Sequence, residues 1–149
     1  MLVVGCVSLP HASPATKSAA VAPAAPPASF IESTADAKTT RTFDVKDGWL
    51  KPALFKAATD ALSEKFVIDV TDPHAGFLMT TWQANSVHDG VPDLRYRTRV
   101  ILRFVGDDWK QAQVKVEANW QRGDEWAIGY DGRLLDEVID DLRAKIGKK

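Results

Sequence analysis

Two stretches of this chain alternate apolar and polar residues with a period of two. From Arg95 to Val105, the residues Tyr96, Thr98, Val100, Leu102 and Phe104 fall on one side, and Arg95, Arg97, Arg99, Ile101 and Arg103 on the other. From Gln111 to Gln121, Val114, Val116, Ala118 and Trp120 oppose Gln113, Lys115, Glu117 and Asn119. Successive strand side chains point to opposite faces, so each stretch predicts a strand with one dry and one wet face. Gly106-Asp107-Asp108 reads as the turn between them, which makes the pair a long antiparallel hairpin.

Shorter patterns surround this hairpin. Arg41-Thr42-Phe43-Asp44-Val45 alternates and suits a short strand. Phe66–Thr71, with Phe66, Ile68 and Val70 on one face, and Phe77–Gln83 read as two more strands. Asp72-Pro73-His74-Ala75-Gly76 between them is a turn by composition, and residues 84–94, with Asp89-Gly90 and Pro92, read as a polar loop. Two segments switch to the helical period. Leu50, Ala53, Leu54, Ala57, Ala58, Ala61 and Leu62 predict a helix from about Trp49 to Glu64, with Asp47 offered as N-cap and Pro52 in the first turn. Leu134, Leu135, Val138, Ile139, Leu142 and Ile146 predict a second, capped by Asp131 and stopped at Gly147. Asp136, Glu137, Asp140 and Asp141 take its outer side, and Lys145, Lys148 and Lys149 suit the negative end of its dipole. The order β-α-β-β-β-β-α predicts an α+β fold: a single antiparallel sheet of about five strands with two helices packed on one face.

Residues 7–40 lack such patterning. Ala19-Ala20-Val21-Ala22-Pro23-Ala24-Ala25-Pro26-Pro27-Ala28 has almost no large side chain, and such a segment buries too little apolar surface to offset its ordering entropy. It reads as a disordered spacer ahead of a domain at residues 41–149, with Phe30-Ile31 as its exception, either a small docking patch or the start of order.

Charge and composition narrow the function classes. The 149 residues carry a net charge of −1, so no global field points to nucleic acid. A single cysteine excludes an intramolecular disulfide, and the core must hold the domain, helped by five tryptophans. Ser63 and Ser86 stand in no nucleophile elbow, and no glycine-rich phosphate loop occurs. His74 near Asp72 and His88 beside Asp89 match no standard metal spacing. The expectation is therefore a non-enzymatic protein with no cofactor and no metal. Arg122-Gly123-Asp124 matches the integrin-binding tripeptide but reads as a hairpin turn.

The arginine row stands out. Arg95, Arg97, Arg99 and Arg103 share a strand face, with Lys115 placed to stand across from them. Neighbours two apart on a strand are roughly 6.5–7 Å apart, a spacing that suits carboxylates, phosphates or an acidic partner. The same row also serves as the wet face of a half-covered sheet, interleaved with Glu117. Both readings stand at this level.

Val3-Val4-Gly5-Cys6 resembles a bacterial lipobox, in which the signal is cleaved before the cysteine and the thiol is acylated. A secretory signal needs a basic region and about 7–15 apolar residues, so Met1 reads as an internal start with the signal upstream. Two or more acyl chains anchor stably, at about 0.8 kcal/mol per buried CH₂. Val7 follows the cysteine where inner-membrane retention signals commonly place Asp, which by resemblance favours the outer membrane with the domain facing the periplasm.

The domain resembles a family as well. Trp49…Pro52-Ala53-Leu54…Ala58…Ala61-Leu62, Phe66-Val67-Ile68, Asp72…Gly76-Phe77-Leu78…Thr80-Thr81-Trp82 and the arginine-rich strand are similar to the helix-grip domain of BamC/NlpB-type lipoproteins. The resemblance covers about residues 41–149. It implies an accessory lipoprotein of outer-membrane protein assembly, acting through protein contacts. Those lipoproteins usually carry two such domains, and this chain shows one. A second reading is a periplasmic module that holds an anionic envelope ligand on the arginine face.

Overall fold

A computed structural model describes residues 25–33, 39–84, 87–88 and 91–149. Val3-Val4-Gly5-Cys6, Val7, the Ala/Pro run as far as residue 24, Ser86, Asp89 and Gly90 lie outside the described residues. In chain order the elements are β1 (Phe30–Glu32), β2 (Thr40–Asp44), α1 (Lys51–Ser63), β3 (Ile68–Asp72), β4 (Phe77–Thr80), β5 (Val87–His88), β6 (Val91–Pro92), β7 (Tyr96–Val105), β8 (Gln111–Arg122), β9 (Glu125–Asp131) and α2 (Gly132–Ile146).

The alternating stretches form the hairpin β7–β8, paired without a break from Tyr96↔Trp120 to Val105↔Gln111. Around it the fold is α+β, with one antiparallel sheet and two helices. The sheet has seven strands rather than about five, in the order β1-β9-β8-β7-β4-β3, with β2 also on β8. The two extra strands are β9 and β1. Arg122-Gly123-Asp124 is the hairpin turn, with Gly123 at φ +64°, and it returns the chain as β9 along β8. The sheet also reaches into the segment read as spacer, because Phe30–Glu32 pair with Asp131–Gly129. β5 and β6 form a separate two-stranded ribbon within the stretch read as loop.

The dry face carries Leu78, Val100, Leu102, Phe104, Ala112, Val114 and Val116, all buried under α1 and α2. α2 contributes Leu135, Val138, Ile139, Leu142 and Ile146, as its stripe predicts, with Leu134 partly buried. α1 departs from expectation at its start. Leu50 is its N-cap and 76% exposed, no side chain caps it, and Asp47 instead meets Lys148 at 3.4 Å. The helix turns its buried face through Leu54, Phe55, Ala58 and Leu62, so Phe55 takes the place expected of Leu50. On β3, Val70 is exposed rather than inward, because the register with β4 shifts between Ile68 and Val70.

Trp109 closes one end of the core. It sits at φ +54°, a conformation that costs a bulky residue roughly 1–2 kcal/mol. That backbone lays its indole flat on Phe104, at 4.9 Å and 10°, and beside Phe55. Burying an aromatic of this size offsets the strain. Gly76, at φ +64°, lies beneath the same ring, where a Cβ would come within 2.8 Å of it.

A second buried cluster, Tyr96, Ala118 and Trp120 with Phe30 and Ala127, fills the other end. Phe30 meets Tyr96 edge to face at 6.0 Å. Asp131 ties this end together. Its carboxylate caps α2 through the Leu134 amide at 2.9 Å and accepts from the Tyr96 hydroxyl at 2.6 Å and the Ser29 hydroxyl at 2.9 Å. Burial and then the bond to Asp131 push the Tyr96 hydroxyl far above its ordinary pKa, so it stays a donor.

Candidate functional site: the outer face of the sheet

The helices cover one face only, and the other carries the arginine row. Alternation along β7 sends Arg97, Arg99, Ile101 and Arg103 outward, as read from the sequence. The row does not act as one unit, because each cation has its own neighbours.

Arg95 leaves the row. It lies in the turn before β7, where its backbone amide and Nε both donate to Asp93 at 3.0 Å and a terminal nitrogen does so at 3.1 Å. Its guanidinium stands 5.5 Å from the ring of Trp120, a residue of the buried cluster. Arg103, at the opposite end, is exposed and lies 5.6 Å from the Phe77 ring across the β4–β7 pairing.

Arg99 and Lys115 converge on Glu117. Arg99 faces Glu117 across the hairpin and donates to Oε2 at 2.6 Å, while Lys115, two residues away on β8, reaches Oε1 at 2.7 Å. Partial burial works against the Glu117 carboxylate, but hydrogen bonds from Lys115 and Arg99 outweigh it and hold its pKa below the ordinary value. Lys115 thus stands diagonal to Arg99, with Ile101 directly opposite it.

Arg97 is clasped between two indoles. Its guanidinium carbon lies 4.8 Å from the ring centroid of Trp82 and 4.2 Å from that of Trp126. Trp82 also takes Arg99 at 4.6 Å. Each such contact contributes about 0.5–1 kcal/mol when exposed and about 2 when desolvated. Among the described residues the buried Arg97 Nε has no hydrogen-bond partner. Trp82 follows β4, and Trp126 sits on β9 opposite Gln121, so the clasp spans four neighbouring strands.

A hollow opens beside this clasp for a topological reason. β2 pairs with β8 only as far as Lys115, and β9 joins it only from Ala118 onward. The gap between them leaves a cavity of about 300 Å³, lined by Trp82, Arg99, Lys115, Glu117, Asn119 and Ile128. Next to it Ile128 is 66% and Trp126 36% exposed, an apolar pair on the outer side of β9.

The row itself is legible in the sequence, whereas the membership of Trp82, Trp126 and Ile128 in the same site emerges only from the fold. Part of their signal is present: Trp126-Ala127-Ile128 alternates like a strand edge after a glycine turn. His74 belongs to the β3–β4 turn, where its amide and that of Ala75 donate to Asp72 Oδ1 at 3.0 and 2.9 Å. Among the described residues no group of three or more His, Cys, Asp or Glu converges to hold a metal, and no helix is long and apolar enough to cross a membrane. Compared with known proteins, the chain matches no protein-family model and no curated protein sequence.

Proposed function

We propose that this protein is a non-enzymatic lipoprotein of the outer membrane, anchored through Cys6, whose α+β domain is a protein-interaction module in outer-membrane protein assembly. The observation that carries the contact role is the outer face of the sheet, which neither helix covers and where exposed Trp126 meets Arg97, with exposed Ile128 two residues along β9. Tryptophan and arginine are enriched among the residues that carry binding energy at protein interfaces, because both present large flat groups that pack and hydrogen-bond. The Val3-Val4-Gly5-Cys6 motif supports the anchor, and the two helices over one antiparallel sheet are compatible with the helix-grip likeness.

The reading in which the row grips a single anionic ligand gains less support. Glu117 already neutralises part of the charge of Arg99 and Lys115, and Asp93 occupies Arg95. The test is photo-crosslinking in the native envelope from a probe at Ile128, with a lipoprotein signal placed upstream and Cys6→Ser as control. Capture of outer-membrane assembly proteins, lost with Cys6→Ser, is expected. Capture that is unchanged by Cys6→Ser would remove the anchor from the proposal, and absence of any captured protein would remove the contact role.

A further inference from the structure

The clasp points to a partner chemistry. We infer that Arg97 is a carboxylate receptor and that the outer face takes an extended acidic peptide segment with apolar side chains between its acidic ones. This rests on the reading of that face as a contact surface and names what fits it.

Three observations carry it. The first is charge: Arg97, Arg99, Arg103 and Lys115 share the face, and Glu117 is the carboxylate that Arg99 and Lys115 meet there. Arg97 and Arg103 lie instead over aromatic rings, so the face keeps an excess of positive charge that an acidic segment complements. The second is geometry. With Trp82 and Trp126 against Arg97 and its Nε buried, the guanidinium binds through the end that carries its terminal nitrogens. That end makes the paired, in-plane hydrogen bonds of a carboxylate, and the indoles hold it in place beforehand, which lowers the ordering cost of binding. The third is spacing. Trp126 and Ile128 are two residues apart on one strand face, roughly 6.5–7 Å, which equals the repeat of same-side residues in an extended peptide. Apolar side chains of the partner rest there while an acidic one reaches Arg97.

The probe is a fluorescein-labelled octapeptide, Glu-Ser-Leu-Ser-Leu-Ser-Glu-Ser, which when extended puts two successive Leu and their flanking Glu on one side. A control replaces Glu by Lys. Fluorescence anisotropy with the full chain is expected to show binding of the acidic peptide, salt-sensitive and at least about tenfold weaker in Arg97→Gln. Arg97→Lys is expected to behave like Arg97→Gln, because it keeps the charge but loses the planar fork. Trp126→Ala is expected to weaken binding as well, and thermal melts of each variant establish that it folds. Equal binding of the basic peptide, or full binding by Arg97→Lys, would overturn the receptor. Self-association of the chain that Arg97→Gln abolishes would give the face to a second copy and also overturn it. If the Ile128 probe captures a protein but the acidic peptide does not bind, the contact surface stands and the carboxylate chemistry falls.

Discussion

Removal of the Asp131 carboxylate tests the account of how the fold closes. One side chain caps α2 through the Leu134 amide and accepts from Tyr96 and Ser29. In Asp131→Ala the lost cap costs about 1 kcal/mol, within a range of about 0.5–2. The Tyr96 hydroxyl, on a residue 1% exposed, loses its acceptor, and an unsatisfied buried group costs about 1–3 kcal/mol. The expected destabilisation is therefore about 2–5 kcal/mol, a large share of the roughly 5–15 available to a domain. Asp131→Asn keeps an oxygen for Leu134 and should lose about half as much. Urea unfolding followed by tryptophan fluorescence reads these values. A double-mutant cycle with Tyr96→Phe should show a coupling of about 1–2 kcal/mol, since the two groups share one hydrogen bond. An Asp131→Ala loss within about 0.5 kcal/mol, the scale of ordinary surface changes, would refute the reasoning. Strictly additive single-mutant costs would refute the specific pairing.

Glu117 and Gly76 supply two more tests, one electrostatic and one steric. Glu117 has a folded-state pKa below its unfolded value, so its contribution is full above the ordinary carboxylate range, near 4.3, and is lost as pH falls through the lowered folded value. Glu117→Gln should accordingly be less stable than the parent at neutral pH, with the gap closing in acid; a gap independent of pH in urea melts would discard the Arg99–Glu117–Lys115 account. Gly76→Ala places a Cβ 2.8 Å from the Trp109 ring at φ +64°, which should cost about 2–4 kcal/mol and change the near-ultraviolet dichroism of the tryptophans. Unchanged stability and spectrum would show that the turn and the indole yield easily.

Legibility in the sequence follows the strength of each pattern. β7, β8 and α2 are readable because both faces of each element contrast sharply, as Arg97/Arg99 against Thr98/Val100 or Asp140/Asp141 against Val138/Ile139. β9 escapes the pattern because its inward positions are small. Ala127 and Gly129 give no apolar contrast to Trp126 and Ile128, and Gly129 is small for a tertiary reason, since a Cβ there would lie 2.2 Å from the Ile31 carbonyl oxygen. β1 is three residues long and follows Pro26-Pro27, too short for any period. Asp47 does not cap α1 because a cap needs the helix to begin beside it, and the chain turns through Gly48 at φ +91° first. At the site, the arginines are visible as a row. Their separate partners are not, since Trp82 and Trp126 reach Arg97 only through strand order, which a single sequence does not print.

The position of β1 has a mechanical consequence. It lies at the sheet edge, held by three paired residues and by Ser29, whose hydroxyl meets Asp131 and whose carbonyl accepts from Gly132 at 3.0 Å. Any pull applied ahead of Phe30 must therefore work through this short seam before it reaches β7 or β8. Because Phe30 packs on Tyr96 and Ser29 bonds Asp131, opening the seam also bares the Tyr96 end of the core and removes one of the hydrogen bonds to Asp131. A load there is therefore felt first at the Tyr96–Asp131 end of the core.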